Sequence, residues 1–173
     1  MRINKNPSEP RFLFLITKPS LQSTLLLQAL KKRFYNEVTL KHCDVIDSSA
    51  IEDGDLLLFD MMSLEEHTSR QWCQDLQNCQ KKFKTLLFNI PPHYHHREIV
   101  EWPMISGIFH TETGEENLIE GIKTVCRGEK FFPKSINDYL TQQLNLSHPQ
   151  WNETVDLTHR EKQILGKLRQ GAS

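Results

Sequence analysis

The sequence predicts a doubly wound α/β domain, and three observations predict it. Apolar runs of strand length, "RFLFLIT", "DLLLFD", "KTLLFNI" and "ISGIFH", recur between segments with helical patterning. These runs are nearly continuous in Leu, Ile and Phe rather than alternating, as strands buried on both faces must be. Strand and helix also take turns along the chain, which favours parallel neighbours because a parallel crossover is supplied by a helix.

In order, "RFLFLIT" reads as a central first strand bounded by Pro19, and "SLQSTLLLQALKKRF" as a helix. Its Leu21, Leu25, Ala29 and Leu30 are expected on the core side, and its basic last turn suits the negative end of the helix dipole. "EVTLKHC" and "DLLLFD" follow as strands two and three, with Asp60 ending the third. In "SLEEHTSRQWCQDLQNC", Ser63 and Glu66 are spaced as a capping box for a helix covering one sheet face. "KTLLFNI" is strand four, "PPHYHHREIVEW" a loop with a short helix, and "ISGIFH" strand five. "TGEENLIEGIKTVCRGE" is a helix that Thr113 and Glu116 would cap. The favoured arrangement is a flavodoxin-like five-stranded parallel sheet.

Beyond that unit, "PKSINDYLTQQLNL" places Ile136, Tyr139, Leu140 and Leu144 at i, i+3, i+4 and i+8, an apolar stripe on an extra sixth helix. That stripe either packs on its own domain or pairs with a second copy across a twofold axis. "SHPQWNETVD" is polar and reads as a linker. The closing "LTHREKQILGKLRQGAS" opens a new helix, with Thr158 and Glu161 as its capping box and Gly171 as its stop signal.

A chain of 173 residues accommodates one ordinary domain and an appendage. Twenty-one Lys and Arg stand against 22 Asp and Glu, a formal charge of −1, so no overall basic footprint for nucleic acid exists. The cysteines at 43, 73, 79 and 126 form no CxxC pair and read as reduced core thiols. The apolar run "FLFLI" is too short to span a bilayer, and no membrane association is expected. The expected location is the cytoplasm. No catalytic triad, Gly-rich phosphate loop or acid/base pair points to an enzyme.

"LTHREKQIL" followed by "GAS" resembles the start of the LuxR-type helix-turn-helix domain. "LFLITKPSLQ", "LLLFDMM", "LLFNIPP", "WPMISGIF" and "RGEKFFPK" resemble the CsgD/VpsT-like biofilm regulators along nearly the whole chain, the CsgD-like branch more nearly. The resemblance implies a degenerate receiver-like domain over residues 1–132 and an additional dimerisation helix over 133–146. A linker over 147–156 and a truncated start of a LuxR-type DNA-binding domain over 157–173 complete the expected organisation. It further implies a bacterial regulator of curli or exopolysaccharide genes, acting as a homodimer. DNA would be a partner of the full-length protein. A chain stopping before the scaffold and recognition helices, by engineering, proteolysis or as a shorter natural variant, is not expected to bind DNA specifically.

A working receiver sets an acceptor Asp against an acidic pair that holds Mg²⁺, a hydroxyl and a lysine, because the phosphoryl oxygens need cations around them. Asp60 stands at the acceptor position, but Thr17 and Lys18 replace the acidic pair, Asn89 and Ile90 follow strand four, and Thr111 stands where the lysine belongs. Phosphorylation is therefore not the expected switch, and Lys18 is a candidate partner for Asp60. VpsT-like members bind cyclic di-GMP through a Trp-[Phe/Leu/Met]-[Thr/Ser]-Arg motif, aligned here with Phe131, Phe132, Pro133 and Lys134. Pro133 lacks both hydroxyl and N–H, and Lys134 lacks the planar fork of Arg, so ligand binding is expected to be weak or lost. The alternatives are a cyclic di-GMP-driven dimer, or packing of Phe131 and Phe132 with Pro133 in the first turn of the following helix. His93, His95 and His96 read as a solvated loop rather than a metal site, and Trp102 as a core anchor.

Overall fold

The computed structural model describes residues 12–34, 37–45, 47–91 and 93–147. Its elements are β1 (Phe12–Thr17), α1 (Leu21–Arg33), β2 (Glu37–His42), a 3₁₀ turn (Ser48–Ala50), β3 (Leu56–Asp60) and α2 (Glu66–Asn78). These are followed by β4 (Lys84–Ile90), α3 (His96–Val100), β5 (Ile105–His110), α4 (Glu115–Cys126) and α5 (Lys134–Ser147). The five strands form one parallel sheet in the order β2-β1-β3-β4-β5, the flavodoxin-like receiver order that the alternation of strand and helix foretells. By contacts the chain divides into two units, Met1–Ile136 and Asn137–Ser173, the boundary falling inside α5.

The apolar runs become strands because both sheet faces are covered. Leu13, Leu15, Leu56, Leu58, Leu86 and Phe88 pack toward α1 and α4, with Leu30, Leu118, Ile119, Ile122 and Val125 on the helical side. Phe59 carries the other face, its ring 5.2 Å from Trp72 edge-on and 4.8 Å from Trp102. Trp102 is thus the core anchor its sequence context suggests.

Several local expectations are overturned by tertiary competition. The inner face of α1 carries Ser23, Leu26, Leu27 and Leu30, whereas Leu21 and Leu25 are 75% and 56% exposed. The run Leu25–Leu27 offers two overlapping stripes that share Leu30, and the one through Leu26 and Leu27 reaches the core. The N-terminus of α1 is closed by a capping box of Ser20 and Ser23. Ser63 does not cap α2, whose N-cap Glu65 makes no side-chain cap bond, because the Ser63 hydroxyl donates to Asp60 instead. Thr113 does not cap α4, which starts after Gly114, and Glu116 reaches Arg33 of α1 at 2.6 Å.

The helix after the sheet is the fifth α-helix among the described residues, not the sixth. Between β2 and β3 the described residues include a 3₁₀ turn, Ser48–Ala50, whose N-cap Asp47 accepts from Ser49 N–H. Of the cysteines only Cys43 is buried; Cys73, Cys79 and Cys126 are half-buried, and no disulfide joins any of the four. The helix predicted over the closing residues, with Thr158, Glu161 and Gly171, lies outside the described residues.

Candidate functional site

The carboxyl ends of β1, β3 and β4 converge on Asp60, the last residue of β3. Thr17, last in β1 and buried, donates its hydroxyl to Asp60 Oδ2 at 2.7 Å. The Ser63 hydroxyl, from the turn after β3, donates to the same oxygen at 2.9 Å and lies 3.1 Å from Thr17 Oγ1. Asp60 Oδ1 accepts from Asn89 Nδ2 of β4 and from the Met62 backbone N–H, both at 3.2 Å. Asn89 holds φ at 53°, the left-handed region, where Asn is among the side chains that fit.

Lys18 does not reach Asp60; its ammonium lies 3.9 Å from Glu65 on an exposed surface. The expected Lys18–Asp60 pair fails because four uncharged donors already fill the carboxylate. Thr111 stands in the exposed turn after β5. The receiver chemistry calls for carboxylates that hold Mg²⁺ next to the acceptor. Here those positions present a hydroxyl already donating to Asp60 and a cationic amine, so the donor set does not fit a hard divalent cation.

At the other end of the sheet, Phe131 extends the edge beside β5. Its N–H donates to Ser106 O and its carbonyl accepts from Ile108 N–H, both at 2.9 Å. Its ring stacks on Phe109 with centroids 5.1 Å apart. Gly121 of α4 makes room for that pair, since a Cβ there would lie 2.5 Å from Phe109 Cζ and 3.0 Å from Phe131 Cδ1. Phe132 and Pro133 are half-buried and Lys134 is exposed. Pro133 immediately precedes α5 rather than lying inside its first turn, and its carbonyl accepts from Ile136 N–H at 3.0 Å. Neighbouring Lys130 donates to Ile105 O at 2.7 Å, and burial, then the charge of Lys84, lowers its ammonium pKa.

The stripe on α5 is split. Ile136 is wholly buried in the first unit, so it anchors the start of the helix rather than offering itself to another chain. Tyr139 and Leu140 are half-buried and Leu144 is exposed. His93, His95 and His96 are not gathered into a metal-holding group. Among the described residues the converging group is His42, Cys43 and Asp44, at the end of β2. Burial first, then the neighbouring Asp44 carboxylate, pushes the Cys43 thiol up to about 11.

A receiver sheet without an acidic pair, and with an aromatic–aromatic–Pro–Lys segment leading into a helix, matches the VpsT-like receiver-domain model over residues 15–134. The chain belongs to the VpsT-like receiver family. This VpsT-like chain is 40% identical over 162 residues to the probable csgAB operon transcriptional regulatory protein of Salmonella typhimurium, covering 93% of this chain and 74% of the relative. It is 38% identical, with the same coverage, to the CsgBAC operon transcriptional regulatory protein of Escherichia coli. Its fold is similar to the solved regulatory domain of the master biofilm regulator CsgD, with a TM-score of 0.68 and 36% identity, over 76% of this chain and 98% of that one. Among the described residues of the VpsT-like chain no helix is long and apolar enough to cross a membrane.

Sequence reasoning marked Thr17 and Asn89 as departures from the receiver pattern without giving them a task, and it missed Ser63. The available signal was spacing: a hydroxyl three residues after a strand-ending Asp lies in the following turn, within reach of that carboxylate.

Proposed function

We propose that this chain is the regulatory and self-associating part of a bacterial transcription regulator of biofilm-matrix genes, curli or exopolysaccharide, and that aspartyl phosphorylation does not switch it. One observation carries the reading: in a family whose relatives regulate csg operons, Asp60 is closed by Thr17, Ser63 and Asn89 rather than opened to a metal and a phosphodonor. A phosphoryl group on Asp60 would displace those donors, and Thr17 and Lys18 stand where an acidic pair would hold Mg²⁺. The domain then serves as a non-enzymatic scaffold in the cytoplasm. It dimerises through Tyr139, Leu140 and Leu144, so that two LuxR-type domains, which residues 157–173 are expected to begin, match two DNA half-sites.

Sedimentation and intact-mass measurements test this together. With acetyl phosphate and Mg²⁺ the chain should gain no phosphoryl adduct, and it should sediment as a dimer that Leu144→Glu converts to monomer. An adduct lost in Asp60→Asn would overturn the switch-free reading, and a monomer at all concentrations would overturn the scaffold.

A second reading, a cyclic di-GMP sensor whose ligand drives dimerisation, draws support from the exposed ammonium of Lys134 at the start of α5. Adding the dinucleotide to the same sedimentation experiment separates the two. A ligand-independent dimer supports the scaffold, and a ligand-driven one the sensor.

A further inference from the structure

Open α/β sheets hold ligands outside the carboxyl ends of their strands. At that end of β2 three consecutive residues supply three kinds of metal donor: the His42 imidazole, the Cys43 thiol and the Asp44 carboxylate. A continuing strand would send such neighbours to alternate faces. Here a turn closed by Val45 N–H donating to His42 O at 3.1 Å reverses the chain, and the ligand atoms of all three lie within 4.8 Å of one another. The turn is pinned from inside by the Trp72 indole, which donates to Cys43 O at 2.8 Å.

The spacing can be compared with a coordination sphere. Tetrahedral zinc with bonds of about 2.0–2.3 Å places its nitrogen, oxygen and sulfur ligands about 3.4–3.6 Å apart. The Asp44 carboxylate lies 3.4 Å from His42 Nδ1 through one oxygen and 3.7 Å from Cys43 Sγ through the other. The side chains of His42 and Asp44 are 41% and 56% exposed, so solvent reaches the group from their side, with the buried thiol at its base. A nitrogen, sulfur and oxygen set suits a borderline-soft ion, whereas Mg²⁺ and Ca²⁺ prefer oxygen alone.

We propose that His42, Cys43 and Asp44 form a binding site for Zn²⁺, with solvent in the fourth position. Binding transfers no electrons: the Cys43 S–H bond breaks, its proton leaves to solvent, and the sulfur lone pair bonds to the ion. Neutral His42 gives up the hydrogen bond its Nδ1 accepts from Asp44 N–H at 3.2 Å. The Cys43 thiol also donates to Ser63 O at 3.4 Å, and the Ser63 hydroxyl donates to Asp60. Metal binding removes the first of these bonds and so connects the site to the Asp60 closure by a single residue.

The test is a titration of the reduced chain with Co²⁺, followed by competition with Zn²⁺. One equivalent should bind with thiolate-to-cobalt charge-transfer absorption and release of one proton. Cys43→Ser should abolish that absorption, and His42→Ala should weaken binding at least about tenfold. Cys73→Ser should change neither. Because Cys43 is buried, Asp44→Asn at an exposed position supplies a variant independent of folding, and it should also lose at least about tenfold. Absence of binding by the unmodified chain at micromolar metal, or binding unchanged in Asp44→Asn and His42→Ala, overturns the proposal.

Discussion

Thr17→Val tests whether the Asp60 cluster holds the strand ends together. Valine keeps the shape of threonine and removes only the hydroxyl, so the buried position is not opened into a cavity. The lost bond is the shortest of the four on Asp60, at 2.7 Å, and it joins β1 to β3. Hydrogen bonds to a charged partner contribute about 1.5–3 kcal/mol. Asp60 is half-buried and keeps Ser63, Asn89 and the Met62 N–H, which lowers the expected loss to about 1–2 kcal/mol. Urea unfolding followed by the fluorescence of buried Trp72 and Trp102 reads this as a lower midpoint with unchanged slope. A double-mutant cycle with Asp60→Asn isolates the pair: if the hydroxyl acts through the carboxylate, Thr17→Val should cost markedly less once Asp60→Asn is already in place. A Thr17→Val effect under about 0.5 kcal/mol, or equal effects with and without Asp60→Asn, would refute the reasoning.

Gly121→Ala would gain about 1 kcal/mol in helix propensity yet drive a methyl into the Phe109–Phe131 stack, so a net loss of about 1–2 kcal/mol is expected in the same unfolding assay. On α1, Leu30→Ala should cost about 2–5 kcal/mol while Leu21→Gln and Leu25→Gln stay within about 0.5 kcal/mol, because only Leu30 is inside. Burial, then Glu101, pushes the Cys73 thiol from 9.0 to about 11. Since the folded pKa is the raised one, the neutral thiol's contribution is complete below about pH 9 and is lost as pH rises toward about 11. Stability measured across that interval should fall less steeply in Cys73→Ala.

The sheet was legible because a strand buried on both faces leaves no choice but continuous apolar sequence, and "DLLLFD" and "KTLLFNI" can do little else. The helix details were less legible because they are settled by competition across the fold. Leu25, Leu26 and Leu27 fit two stripes, and only the position of the sheet selects the one through Leu26 and Leu27. Ser63 and Glu116 are spaced for caps, yet each has a partner brought by tertiary structure, Asp60 and Arg33. The site was half legible for the same reason. Thr17 and Asn89 were identifiable as substitutions in a receiver framework, but their convergence on one carboxylate depends on strand order and on a left-handed backbone at Asn89. The His42–Cys43–Asp44 group was hidden by the ordinary rule that neighbours diverge, which a turn suspends.

The same geometry bears on how Phe131 could take part in ligand binding. A stacking platform must offer a free ring face, and Phe131 has one face on Phe109 while its backbone is bonded on both sides to β5. Freeing it would forfeit an aromatic pair of about 0.5–1.5 kcal/mol and two backbone hydrogen bonds of about 0.5–1.5 kcal/mol each. A nucleotide that displaced Phe131 would therefore bind weakly even where its guanine stacked well. One that left Phe131 in place would have to use its outer face together with Lys134, without the fork of an arginine. The two routes differ in a measurable way: Phe131→Leu keeps an apolar filler on Phe109 but removes the platform. It should destabilise the fold by about 1–2 kcal/mol, and it should leave sedimentation unchanged if the dimer forms without ligand. Loss of a cyclic di-GMP-dependent dimer in a Phe131→Leu chain that remains folded would refute the view that this residue is occupied chiefly in closing the sheet edge.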